Sequence, residues 1–193
     1  MFRLTIDARE VRVRAGTVLE AARALGLHIP HLCHVPGLPR RAVCRLCLVR
    51  VDGALVPSCC TQVRSGARVE VMTPELVTLR KRVMELVVRE HGACGRPGCE
   101  VEALADALGV ARAERQLPSP RDLGSEEIAV HPDRCVHCDR CIRACPRGLV
   151  TRSGRGPEVG FAFGDGRALG ATSCVACGDC VAACPAGALV RVA

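Results

Sequence analysis

The chain has no Trp and no Tyr, and only three Phe. Without large rings, its core must be aliphatic, and it lacks the stacking surfaces that single-stranded nucleic acid needs. It has almost no lysine either: Lys81 stands alone among 27 basic residues, and the arginines are spread along the whole sequence rather than gathered in one basic patch. No apolar run approaches the ~18 residues of a bilayer span, so no membrane span is expected. The opening stretch MFRLTIDAREVRVRAG carries charge throughout and has no apolar region of the kind a secretory signal requires. Phosphate-loop, HExxH and nucleophile-elbow patterns are also missing. Gly154-x-Gly156-x3-Gly160 has neither the spacing nor the strand-to-helix context of a dinucleotide fingerprint, and reads as a turn. No catalytic site of the chain's own is expected.

What is present is cysteine, fifteen residues in 193. An odd count cannot pair completely into internal disulfides. The tight x2 and x3 spacings suit metal ligation better than bridges between distant segments, which points to a reducing, cytoplasmic setting. Small domains so poor in aromatic area also need something besides apolar packing to hold them together.

An α+β chain of three parts is expected. Phe2, Leu4 and Ile6 alternate with polar residues, and Val11 and Val13 do so after Asp7–Glu10, which predicts a hairpin. Thr17-Val18-Leu19-Glu20 is a capping box that opens a helix running to Leu25 and stopping at Gly26. After a Pro- and Gly-rich loop over 29–41, further strands are predicted at 46–51 and 68–72. This order suits a β-grasp domain over 1–73. Leu76, Leu79, Val83, Leu86 and Val87 recur at helical spacing, predicting a helix over 74–90. A shorter one at 101–108 completes a helical region that ends at 110. Residues 111–127 read as a linker. Residues 128–193 hold an internal repeat with an offset of 39: Cys135-x2-Cys138-x2-Cys141-x3-Cys145-Pro146 returns as Cys174-x2-Cys177-x2-Cys180-x3-Cys184-Pro185.

The repeat carries the strongest chemistry. A 4Fe–4S cubane needs a thiolate at each iron corner. Three Cys at x2, x2 wrap three corners of one cube, and the fourth, before the Pro, ligates the other cube. Cluster one is therefore assigned Cys135, Cys138, Cys141 and Cys184, and cluster two Cys174, Cys177, Cys180 and Cys145. Paired zinc sites need only four Cys per ion and have no preference for this spacing. In the N-terminal part, Cys33-x10-Cys44-x2-Cys47-x11-Cys59 on a β-grasp scaffold is the layout of a 2Fe–2S ferredoxin, with x10 where plant-type domains have x4. A structural zinc is the alternative for that set.

The flanking stretches HIPHLCHVPGLPRRAVCRLCLVRVDG and ALVPSCCTQVRSG closely resemble the 2Fe–2S domain of the complex I superfamily. That superfamily includes iron-only hydrogenases, NAD-dependent formate dehydrogenases and the diaphorase subunits of NAD-coupled nickel–iron hydrogenases. The architecture resembles most the small diaphorase subunit. The resemblance places the fourth 2Fe–2S ligand at Cys59, after Pro57-Ser58, rather than at Cys60. It gives His28, His31 and His34 a supporting or surface role, and leaves His137 to solvent or a sulfide contact. Relatives also carry a His and three Cys that bind a third 4Fe–4S cluster. Here Glu90-His91-Gly92-Ala93-Cys94-Gly95-Arg96-Pro97-Gly98-Cys99-Glu100 retains only His91, Cys94 and Cys99. Three donors where four are expected leave three options: a degenerate site without a cluster, a cubane with one open or solvent-ligated iron, or a zinc remnant completed by another side chain.

The resemblance implies an iron–sulfur electron-transfer subunit. It would relay electrons between a flavoprotein NAD(H)-oxidoreductase subunit and a hydrogenase or formate dehydrogenase catalytic subunit. A stand-alone ferredoxin-like carrier or redox sensor is the alternative, and a zinc-binding structural or nucleic-acid module a remote one. The Arg excess alone supports the last. One oxidised 2Fe–2S and two oxidised 4Fe–4S clusters, each about −2 with its four thiolates, would bring the formal +7 down to about +1.

Overall fold

The computed structural model describes residues 1–14, 16–112, 123–155 and 159–192. Most of the linker expected at 111–127, and Gly156 of the glycine-rich turn, lie outside the described residues. The described chain forms two compact units: residues 1–34 with 40–85, and residues 35–39 with 86–193.

In the first unit, β1 (Phe2–Ile6) and β2 (Arg9–Val13) form the expected hairpin, with Leu4 opposite Val11 and Phe2 opposite Val13. Asp7 and Ala8 turn the chain with φ of 44° and 64°, the paired left-handed conformation that matches strand twist. Helix α1 (Val18–Ala24) starts on the capping box: the Glu20 N–H donates to Thr17 Oγ1 (3.3 Å), and the Thr17 N–H donates to Glu20 Oε2 (2.8 Å). It ends one residue earlier than expected. The third strand, β3 (Leu48–Val51), begins after Cys47, because Leu46 and Cys47 are taken up by a turn. A strand that the sequence pattern did not predict, β4 (Ala54–Pro57), pairs antiparallel with β3 across Asp52-Gly53. β5 (Arg68–Glu70) is shorter than the 68–72 expected and runs parallel to β1. The mixed sheet has the order β2-β1-β5-β3-β4. Leu4, Ile6, Leu19, Ala22, Val49 and Val69 make its aliphatic core.

Helix α2 (Pro74–His91) is the expected amphipathic helix, one residue longer. In the second unit, α3 (Glu100–Leu108) ends at Gly109, which closes it at φ 64°. The repeat builds two matching pieces: α4 (Arg140–Ala144) and β7 (Val150–Ser153), then α5 (Asp179–Ala183) and β9 (Leu189–Arg191). Two further strands complete it. β6 (Ile128–Val130) pairs with β9, and β8 (Gly160–Phe163) pairs with β7. Ile128, Val150, Phe163, Leu169 and Leu189 pack beneath the cysteine loops. No described helix is long and apolar enough to cross a membrane.

Candidate iron–sulfur centres

The loop after α1 and the turn before β3 bring Cys33, Cys44 and Cys47 together with Cys59, just past β4. Cys33, Cys47 and Cys59 are buried and Cys44 is half-buried. Hydrogen bonds from Cys44 and Cys59 hold the Cys33 thiol down to about 2. A bond with Cys59 brings Cys47 to about 6. Cys59 and Cys44 sit on the other side of these bonds and are pushed up, with burial adding to both shifts. The Leu32 and Cys33 N–H groups both point at Cys44 Sγ (3.5 Å each). Four converging sulfurs, with amides aimed at one of them, fit a group that binds them as thiolates and replaces their protons by metal. The Cys60 sulfur lies 3.8 Å from that of Cys59, and Cys60 is half-buried against the aliphatic core.

Nearby, Arg80 of α2 is buried at 2% exposure; it donates to the Leu48 carbonyl (2.8 Å), and its Nε has no hydrogen-bond partner. Burial lowers its affinity for the proton, while the Cys47 thiol partly offsets this. A buried guanidinium is costly unless negative charge is close by, as it would be with an anionic cluster on these thiolates. The His31 ring is held by the Ile29 carbonyl (2.8 Å), and His28 is exposed. His34 is buried 5.6 Å from the His31 ring.

In the second unit, the two x3 cysteines cross between the repeats. One cavity is lined by Cys135, Cys138, Cys141 and Cys184, and another by Cys145, Cys174, Cys177 and Cys180. The loops that bear them share one geometry. His137 and Ala176, equivalent across the repeat, both have left-handed φ (52° and 51°). This aims the His137 N–H at Cys135 Sγ (3.5 Å) and the Ala176 N–H at Cys174 Sγ (3.4 Å). The Ala188 N–H reaches Cys184 Sγ (3.2 Å), and the His137 ring lies 3.9 Å from Cys135 Sγ. Burial raises the thiols of Cys135 to about 12 and Cys180 to about 11, and pushes Cys141 up as well. Without metal these groups hold their protons at neutral pH, so metal loading must displace them. The alternating cavities and the N–H···S bonds fit two cubane sites.

Two residues of these sites carry no motif that marks them in the sequence. Arg152 donates to the His137 carbonyl (3.0 Å) and pairs with Asp139. Arg191 donates to the Ala176 and Cys177 carbonyls (3.2 and 3.0 Å). Both clamp the outer rim of a cysteine loop, and they are separated by the offset of the repeat. That coincidence is the one signal that could have found them. Gly178, the counterpart of Asp139, has no side chain, and a Cβ there would collide with the Arg191 guanidinium.

The third set is gathered too: one ligand atom from each of His91, Cys94 and Cys99 lies within 4.8 Å of the other two. No fourth donor joins them among the described residues.

Comparison with known proteins agrees with this layout. Residues 1–74 match a 2Fe-2S iron-sulfur cluster binding domain, and residues 134–188 match a 4Fe-4S dicluster domain. The chain is 32% identical over 169 residues to the gamma subunit of the NAD-reducing hydrogenase of Cupriavidus necator; this covers 80% of the chain and 72% of the relative. It is 33% identical over 167 residues to the HndD subunit of the NADP-reducing hydrogenase of Solidesulfovibrio fructosivorans; 75% of the chain matches, but only 28% of that relative is spanned. A solved chain of an NAD+-reducing [NiFe]-hydrogenase in the H2-reduced state superposes with a TM-score of 0.86 at 31% identity, over 98% of this chain and 87% of the other.

Proposed function

Because the chain belongs to the family of the NAD-reducing hydrogenase gamma subunit, we propose that it relays electrons between a flavoprotein NAD(H)-oxidoreductase subunit and a hydrogenase or formate dehydrogenase-type catalytic subunit, in the cytoplasm. The observation that carries the reading is the crossed pair of cysteine cavities, each closed by the x3 cysteine of the opposite repeat. In this reading residues 1–73 hold one 2Fe–2S cluster on Cys33, Cys44, Cys47 and Cys59. Residues 128–193 hold one 4Fe–4S cluster on Cys135, Cys138, Cys141 and Cys184, and a second on Cys174, Cys177, Cys180 and Cys145. Residues 74–110 form the helical region between them, and 111–127 link it to the C-terminal domain.

When bound, such clusters accept and release one electron at a time. The chain's own residues supply no bond-making chemistry. The thiolates fix each site, the N–H groups of His137, Ala176 and Ala188 delocalise sulfur charge, and the aliphatic floor excludes water. Arg80, Arg152 and Arg191 bring positive charge that favours the reduced state.

The test is purification of the tagged chain from native extract. The reading expects a flavoprotein and a hydrogenase or formate dehydrogenase subunit to co-purify. It also expects Cys138→Ser to abolish coupling of their substrate oxidation to NAD reduction, with dye-linked partner activity unchanged. A chain that carries its clusters but purifies alone would establish the stand-alone carrier instead.

A further inference from the structure

We propose that His91, Cys94 and Cys99 bind a single tetrahedral zinc ion, with solvent as fourth ligand, rather than a third cubane. This holds whether or not the chain serves as a relay.

Donor spacing separates the two cases. On one tetrahedral ion, bonds of about 2.3 Å to sulfur and about 2.1 Å to nitrogen put neighbouring donors about 3.5–3.8 Å apart. On a cubane each thiolate sits outside a different iron corner, and the ligand sulfurs stand roughly 6 Å apart. Here Cys99 Sγ and His91 Nε2 are 3.3 Å apart, and all three donor atoms fall within 4.8 Å of one another. Among the described residues no other three His, Cys, Asp or Glu donors come so close.

The surroundings are built for an ion. His91 is 2% exposed, and its Nδ1 must donate to the Arg134 carbonyl (2.8 Å), which leaves the Nε2 lone pair facing the cysteines. This is the anchoring that zinc-binding imidazoles have. The Cys94 and Gly95 N–H groups donate to Glu102 Oε1 (2.8 and 3.0 Å), and Glu102 is itself paired with Arg112 (3.3 Å). The loop thus keeps its shape without metal. Gly95 and Gly98 take φ of 59° and 74°, which let it double back within the short span from His91 to Cys99. Two thiolates neutralise a divalent ion, so a buried His–Cys–Cys site carries no net charge. Soft sulfur with imidazole is a donor set that zinc favours. Cys94 is the one ligand of the three that is not fully buried.

The test uses the full chain, iron-loaded anaerobically and then exposed to zinc. The proposal expects one zinc per chain that survives dialysis, and a rise in unfolding temperature on zinc addition. Cobalt in place of zinc should give the intense ligand-field bands of a tetrahedral ion together with thiolate charge transfer. Cys99→Ser and His91→Ala should each remove the zinc, the cobalt spectrum and the thermal shift, while iron and sulfide at the other sites stay unchanged. Unchanged iron in these variants also shows that they fold. The proposal is overturned if no zinc is retained, if a single iron takes the site in preference to zinc, or if Cys99→Ser costs four irons and four sulfides.

Discussion

At the residue scale, charge near the thiolates sets how readily each centre takes an electron. Arg80 is buried beside the Cys47 thiol, and Arg152 clamps the loop of Cys135 and Cys138. Removing one positive charge at such range, partly screened, is worth roughly 1 kcal/mol, or about 20–60 mV for a one-electron couple. Arg80→Met is therefore expected to make the 2Fe–2S potential more negative by at least this much, and Arg152→Ala to do so for one 4Fe–4S centre by the lower part of the range. Redox titration followed by electron paramagnetic resonance checks both. Cys59→Ser should cost about two irons per chain, whereas Cys60→Ser should cost none, since it is the Cys59 sulfur that joins those of Cys33 and Cys47. An iron assay separates them. The cysteine positions were legible because ligation fixes both residue type and spacing. Arg80 was not. A lone Arg on an amphipathic helix reads as surface, and only the sheet packed against it shows that it is buried.

At the scale of elements, local rules worked where they were applied in full. The Thr17–Glu20 capping box forms as its residue pattern predicts. The Glu20 carboxyl is held below its ordinary 4.5, chiefly by the Thr17 N–H and further by Arg40, against the opposing effect of burial. A carboxyl depressed in the folded state stabilises above its unfolded pKa, and that contribution fades as pH falls through the folded value. Thr17→Ala should cost about 1 kcal/mol. Glu20→Gln should destabilise at pH 7, with the gap to the parent chain closing below about pH 4 as the native carboxylate protonates. Thermal melts across pH measure both. β4 went unpredicted, although Asp52-Gly53 between apolar runs is a hairpin signal. β6 and β8 left little trace. They are three and four residues long, and exist because a distant partner strand is present to pair with. The apolar pattern overruns the strand ends because Leu46 and Cys47 serve the cysteine turn and Val71 the core rather than the ladder, while Met72 is exposed.

At the scale of the whole molecule, scarce aromatics and abundant cysteine have one explanation: inorganic groups and aliphatic packing share the work of large core side chains. The duplication shows in sequence and structure alike, through matched φ values at His137 and Ala176 and matched clamps at Arg152 and Arg191. If clusters complete the C-terminal domain, their removal should unfold it first. Chelation of iron is expected to broaden the amide resonances of 128–193 while the hydrogen-bonded core of the first sheet persists. Simultaneous loss of both would count against this.

The most direct test of the central claim is the iron and acid-labile sulfide content of the full chain after anaerobic reconstitution, read with its reduced-state paramagnetic spectrum. The account predicts about ten irons and ten sulfides per chain, from one 2Fe–2S and two 4Fe–4S centres. A colourless protein holding zinc without sulfide, or one with iron far below ten, would contradict it.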